Sequence, residues 1–336
     1  MRRLESLTEL LGPALLVVLT GLLATVVSRS TEVHVLDAIV SVAIVVSIYV
    51  FVGNSGVLSF GQISFVAVGA FNAGELTIPL ESKTGVLPDL LPLLRDHTIG
   101  NLPSLVLSAA LGGLFALVVG LPLMRLSGLA AGIATFAVLE ITHNLLREWT
   151  LIGPGATTLA LVPETTGLRQ AAIGALIAVV AAFAYQRSRF GRLLRATRED
   201  GAAARAVGVS VYRQRLIAFT LSGALAGLAG GMYVHLLPLT AETVYLDLTF
   251  ITLAMLVIGG GTSLWGAVVG ALAVSALDSF LAEAEAGIGI GGHTLDLPAG
   301  TRIIVVGAVM ALVLILRPSG LTGGRELGFR RWRRTA

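Results

Sequence analysis

The chain has no cysteine in 336 residues, so neither a disulfide framework nor a thiolate metal site can form. It is also poor in charge. Asp, Glu, Lys and Arg make up 13% of it, about half of the roughly one quarter usual in soluble domains. With 55% hydrophobic residues and a mean hydropathy of +0.88, that shortage excludes a soluble enzyme and points to a membrane protein. Lysine is nearly missing: Lys83 stands alone, and the other 22 of the 23 basic residues are arginine. The formal net charge of +3 says little about partners, and arginines set between apolar runs are poorly placed for nucleic acid. No Gly-x-x-x-x-Gly-Lys-Ser/Thr, Gly-x-Ser-x-Gly or His-Glu-x-x-His motif occurs, so no phosphate-cradling loop and no covalent or metal-assisted catalysis is expected. GGGTS at 259–263 lacks the lysine and follows no strand. His34, His97, His235 and His293 show no ligand spacing, so no metal and no cofactor is expected either.

Crossing a bilayer takes roughly 20 apolar residues of helix. By that ruler there are ten spans, at 12–28, 36–52, 57–79, 102–124, 127–146, 168–186, 214–236, 246–261, 264–282 and 300–316. Glycine and polar residues interrupt the third, eighth and ninth. Met1-Arg2-Arg3 before the first could open a signal peptide, but Ala24-Thr25-Val26-Val27-Ser28 is no clean cleavage site, so an uncleaved helix is expected. With both termini inside, 17 of the 23 basic residues fall on the cytoplasmic side. The outside receives Arg29, Lys83, Arg95, Arg147, Arg169 and Arg302. An odd count would strand one basic cluster outside. The expectation is an all-α polytopic membrane protein of about ten helices, forming one domain over 1–336, with a basic cytoplasmic tail at 317–336. The segments 81–101, 148–167 and 284–299 read as loops or short surface helices.

The least apolar internal stretch is Gln186–Leu216, with eight arginines between two apolar runs. Its core, 187–213, reads as a cytoplasmic loop with a short helix. Arg198-Glu199-Asp200 place negative charge at the start of Ala202–Val207, where it suits the helix dipole, and Gly208 supplies a left-handed end. Arginines accumulate on cytoplasmic faces in any case, so the helix is either incidental or made to dock into another protein.

Other features concern packing and passage. Gly223, Gly227 and Gly231 share one helix face, as do Gly112, Ala116 and Gly120, and Gly266 and Gly270; such small-residue stripes let helices approach in lipid. The run Gly53–Ser64, with Asn54, Ser59, Gly61, Gln62 and Ser64, is too polar for a lipid-facing helix, and 258–266, with Gly260 and Thr262, has the same texture. Backbone breaks at depth occur where they are buried or line a cavity; tight surface turns are the competing reading. Glu140 and His143 lie one turn apart in the fifth span and are candidates for a transport path, with Glu75 and Asp278 behind them.

Several strings occur together: LSFGQISFVAVGAFNAG (58–74), MRLSGLAAGIATFAVLEI (124–141), GRLLRATREDGAAARAVGVSVYRQRLIAFTLSGALAGLAGGMY (191–233), VIGGGTSLWGAVVGA (257–271) and RPSGLTG (317–323). In order and over about 35–323, they resemble the LivM-type permease of branched-chain amino acid ABC importers. The resemblance implies a non-enzymatic translocation subunit in the cytoplasmic (inner) membrane of a bacterium. Its implied partners are a homologous permease, as heterodimer or homodimer, two cytoplasmic ATPases, an extracytoplasmic solute-binding protein, and membrane lipid. The loop helix would then be the coupling helix, with Arg192, Arg195, Arg198, Glu199, Asp200, Ala202, Ala203, Ala204 and Gly208 facing the ATPase. Two departures stand out: Ala202 replaces the glutamate of the importers' Glu-Ala-Ala-x-x-x-Gly pattern, and Gln62 replaces the histidine of Leu-Ser-x-Gly-His. The rival reading is a self-contained ion-coupled transporter or channel, with Glu140 and His143 as its ion handle. Another small solute, such as urea, is a third.

Overall fold

The computed structural model describes residues 2–25, 29–290, 293–295, 297–298 and 300–326. The end of the first expected span, 26–28, and Arg330, Arg331, Arg333 and Arg334 of the basic tail lie outside these residues. In chain order the elements are α1 (Arg2–Ala24), α2 (Arg29–Ser55), α3 (Gln62–Thr77), α4 (Leu80–Val86), α5 (Pro92–Arg95), α6 (Asn101–Leu123), α7 (Leu129–Glu148), α8 (Leu168–Arg187), α9 (Arg189–Glu199), α10 (Gly201–Ala206), α11 (Val211–Val234), α12 (Leu246–Gly259), α13 (Leu264–Ala286) and α14 (Thr301–Leu316). A two-stranded antiparallel hairpin, β1 (Ile288–Ile290) with β2 (His293–Leu295), joins α13 to α14.

The chain is thus an all-α polytopic membrane protein. Each expected span corresponds to one of ten helices, α1–α3, α6–α8 and α11–α14, and among the described residues six of these are long and apolar enough to cross a membrane. Three expectations need correction. α3 starts at Gln62, because 56–61 is irregular, left-handed at Gly56 and turning at Gly61; its 16 residues give roughly 24 Å, less than a full crossing. α13 runs on to Ala286, and the loop after it holds the hairpin rather than only loop or helix. α1 begins ten residues before its apolar run.

The core follows from which helices are apolar all round. Residues 38–51 of α2 are buried without interruption, and every residue of α3 but Val68 is buried. α11 lies between α3 and α6 and meets α6 through the two small-residue stripes: a Cβ on Gly112 would fall 2.5 Å from the Gly223 carbonyl oxygen and 2.9 Å from the Gly227 Cα. Interior helices that dense leave no slack for a side chain. α6, α7 and α14 lie outside and present exposed Leu102, Val106, Leu129, Ile133, Ile303 and Ile304.

Candidate functional site

The loop between α8 and α11 is two helices rather than one. Ser188 caps α9, its Oγ accepting from the Gly191 amide at 3.2 Å. Gly191, Leu194 and Thr197 recur at helical spacing and are buried, so α9 packs flat across the ends of α2, α8 and α11. Asp200 then ends α9 and caps α10, with Oδ1 accepting from the Ala203 amide at 2.9 Å and the Ala202 amide at 2.8 Å. These two bonds favour the ionised form and hold its carboxyl below the ordinary range. α10 closes with a Schellman arrangement: Val209 donates to the Ala204 carbonyl at 2.9 Å, Gly208 to Arg205 at 3.0 Å, and Gly208 is left-handed at φ 82°. The result is a one-and-a-half-turn knob beyond the bundle. Ala202, Ala203 and Gly208 are exposed, and Val207 is 78% exposed; Ala204 faces inward and is buried.

The arginines divide by direction. Arg192 is exposed, whereas Arg195 and Arg198 turn toward the core. Arg195 donates to the Gln186 carbonyl, and the Gln186 side chain accepts from the Tyr49 hydroxyl of α2 at 2.6 Å. Arg198 donates to the Gly53 carbonyl at 2.8 Å and also pairs with exposed Glu199 at 3.3 Å. Its aliphatic stem lies over Gly56, where a Cβ would come within 2.7 Å of it.

That contact lands on the break between α2 and α3. Asn54, in the last turn of α2, donates to the Val50 carbonyl at 3.1 Å. From Gly56 the chain runs inward past α7: the Phe60 amide donates to Thr135 Oγ1 at 3.2 Å, and Gly61 lies against the Thr135 backbone. α3 then begins at depth. Ser222 Oγ of α11 is 2.6 Å from the Ser47 carbonyl oxygen and 2.9 Å from Gln62 Oε1. One hydroxyl proton serves only one acceptor, so turning the Gln62 amide by half a turn satisfies both contacts, with Ser222 donating to Ser47 and Gln62 donating to Ser222. In either orientation one Gln62 amide atom is unpaired. Asn54 Oδ1, Ser59 Oγ and Ser64 Oγ are likewise buried without a hydrogen-bond partner among the described residues. The break is therefore a buried polar seam.

Gly260 and Thr262 reach the same end of the bundle by another route. A Cβ on Gly53 would fall 2.6 Å from the Gly261 carbonyl oxygen, so the α12–α13 turn closes the far side of the seam. The segment after α14 seals that turn. Leu321 donates to the Ile258 carbonyl at 2.8 Å, Thr322 Oγ1 to Gly259 at 2.8 Å, and Thr262 Oγ1 to Gly324 at 3.1 Å. Glu326 accepts from the Leu264 and Trp265 amides at 2.8 and 3.1 Å, capping α13 together with Ser263. Burial raises the Glu326 carboxyl above its ordinary value even against these bonds.

The family whose sequences are described as the permease component of a branched-chain amino acid transport system matches residues 30–314. The chain belongs to this family. It is 24% identical over 330 residues to the high-affinity branched-chain amino acid transport system permease protein LivM of Escherichia coli K12, covering 88% of this chain and 70% of that one. A probable branched-chain amino acid transport permease protein LivH of Methanocaldococcus jannaschii is 33% identical over 145 residues, 41% of this chain; the match spans 42% of that protein. The autoinducer 2 import system permease protein LsrC of Escherichia coli O157:H7 is 27% identical, covering 76% of this chain and 75% of its own. No solved structure matches the chain.

Glu140 and His143 stand apart from the permease's seam, at the other end of α7. His143 is buried and stacks on Tyr245 with ring centres 3.9 Å apart, while Glu140 accepts from the Tyr245 hydroxyl and from Asn144 at 2.8 Å. Glu242 holds the group from above, 3.5 Å from His143 and 3.3 Å from Arg147. This cluster ties α7 to the α11–α12 connection. Glu75 is buried, and Asp278 pairs with Arg302 at 3.1 Å. Sequence reasoning missed Tyr49, Thr135, Gln186, Ser222 and Glu326. Each is an ordinary residue in its own segment and gains its partner only through tertiary packing.

Proposed function

We propose that this permease is one membrane half of an ATP-driven importer for branched-chain amino acids or related small polar solutes, working by alternating access. The observation that carries the proposal is α10: a short helix capped at both ends, projecting from the bundle with Ala202, Ala203, Val207 and Gly208 outward, on an arm whose Arg198 holds the seam. A separate ATPase would grip that knob. Its movement would pass through α9 to Gly53, and the seam between α2 and α3 would shift between two packings, a population bias rather than bond chemistry. Asn54, Ser59, Gly61, Gln62 and Ser64 then belong to the moving gate, with Gly260 and Thr262 as its fixed stop. A homologous permease, a second ATPase and an extracytoplasmic solute-binding protein complete the assembly, in a cytoplasmic membrane with both termini inside. The relatives named for branched-chain amino acids favour that cargo, and the autoinducer 2 relatives keep a sugar-like solute as the second reading.

The test is co-purification. Ala203→Trp puts a large ring on the exposed side of the knob, and Gly208→Val forces a branched residue into φ 82° at a cost of roughly 1–2 kcal/mol. Both should abolish capture of the co-expressed ATPase while leaving the permease in the membrane. Full capture by both variants, or solute uptake by the purified chain alone along an ion gradient, would sink the proposal.

A further inference from the structure

The corner where α8 meets α9 has a composition that neither coupling nor gating uses. On α8, Ile173, Ile177 and Val180 are exposed at spacings of four and three, an outward stripe on a helix long and apolar enough to span the membrane. The stripe runs off the helix at Arg187. On α9, Phe190 lies at helical spacing with buried Leu194 and Thr197 yet is 48% exposed. The first turn of α9 therefore overhangs the bundle, with its phenyl ring on the face that Leu194 and Thr197 pack against α2, α8 and α11. On the opposite, outward side stand Arg189 and Arg192, one turn apart and exposed. Arg187 is already engaged, over the Phe183 ring at 5.6 Å and paired with Glu9 at 2.5 Å. Arg189 and Arg192 have no acidic partner among the described residues. A flat helix with an aromatic ring below and unpaired guanidinium groups above is how amphipathic helices sit at a membrane surface.

We propose that this corner is a binding site for an anionic phospholipid, with Arg189 and Arg192 on the headgroup phosphate and an acyl chain along Phe190, Val180 and Ile177. Arginine pairs with phosphate in a planar, two-pronged geometry, and the apolar stripe supplies what a free phosphate ion would not use. The site rests on α8 spanning a membrane and is independent of the ATPase and of the cargo. It gives Arg192 a role different from ATPase contact, and it would fix the root of the α9 arm at the membrane surface.

The test uses the full-length chain, delipidated in detergent and titrated with phosphatidylglycerol or phosphatidylcholine of matched chains, with bound lipid counted by native mass spectrometry. Each arginine near an anionic surface is worth about fivefold in binding, so Arg189→Gln with Arg192→Gln should weaken phosphatidylglycerol by about twenty-five-fold and phosphatidylcholine, whose choline cation offsets its own phosphate, far less, so that the preference between the two is lost. Arg169→Gln with Arg213→Gln removes the same charge elsewhere and should leave the preference intact. Phe190→Ser keeps every charge and should weaken both lipids several-fold. Glycerol 3-phosphate should not displace bound phosphatidylglycerol. Equal binding of the two lipids by the native chain, an unchanged preference in the first double variant, or displacement by glycerol 3-phosphate would each overturn the site. Should the double variant fail to fold, Phe190→Ser and the competition decide the same question.

Discussion

Arg198 allows a sharp test of whether the loop and the seam move together. The end of α2 leaves carbonyls without helical partners, and the Gly53 carbonyl takes its hydrogen bond from Arg198 at 2.8 Å. A cation there also suits the negative end of the helix dipole. The Arg198 side chain is 27% exposed, so water competes only in part. A hydrogen bond to a charged donor contributes roughly 1.5–3 kcal/mol, and about 2 kcal/mol corresponds to about thirtyfold in the balance between held and released seam. Arg198→Met keeps the stem over Gly56 and deletes the guanidinium, removing the bond to Gly53 and the pair with exposed Glu199, which contributes little. In proteoliposomes holding the whole importer, this variant should still bind ATPase and hydrolyse ATP, while solute moved per ATP falls by about an order of magnitude. Arg198→Lys should lie between, since an ammonium can reach the carbonyl but lacks the planar fork. The chain has no native cysteine, so a single cysteine at Leu58, 54% exposed, reports the seam directly and should label faster when combined with Arg198→Met. Unchanged transport per ATP with unchanged labelling would show that the contact is only structural.

Two further outcomes follow from the seam and its seal. Glu326 is held above its ordinary value of 4.5, so between that pH and its raised value the native state keeps a proton that the unfolded chain has lost. Stability should therefore fall as pH rises through that window and then level off; Glu326→Gln should flatten the dependence, read as thermal midpoints at pH 4.5 and 8. Gln62→Met replaces a buried amide that carries one unpaired atom with an apolar chain of similar volume. It should raise the thermal midpoint, by an amount equivalent to about 1 kcal/mol, and slow transport at unchanged ATPase binding.

How far the sequence could be read depends on the range of the forces involved. The apolar runs and the arginine tally report a local property, transfer into lipid, and the ten helices fall where those runs lie. The knob was also readable, because Asp200, the alanine run and Gly208 interact within ten residues of one another. α9 was not foreseen as a helix: its buried face of Gly191, Leu194 and Thr197 holds a single large apolar residue, and becomes a packing face only against α2, α8 and α11. The start of α3 was misplaced for a related reason. Val57-Leu58-Ser59-Phe60 is apolar enough to continue a helix, but the Thr135 hydroxyl of α7 takes the Phe60 amide, and the segment is not helical. Glu140 and His143 looked like a pair one turn apart; Tyr245, a hundred residues on, inserts between their roles.

The seam is where local preference and native structure disagree most, and the disagreement has a cost. Among the described residues, buried polar atoms of Asn54, Ser59, Gln62 and Ser64 find no partner, and each forgoes a hydrogen bond that water would supply to the unfolded chain, roughly 1–3 kcal/mol apiece. A chain selected only for a stable bundle would fill these positions with Leu or Ala, as it does one turn away at Val66 and Ala67. Three separate elements hold the seam shut nonetheless: α9 through Arg198, α7 through Thr135, and the α12–α13 turn through Gly261. The α12–α13 turn is itself bolted by residues 321–326, and α7 is moored at its far end by the Tyr245 cluster. Only α9 leads outward to a knob with free surface. On the gating proposed above, polar groups left unpaired in this packing find partners in the second, and α9 is the handle through which the proposed ATPase selects between the two.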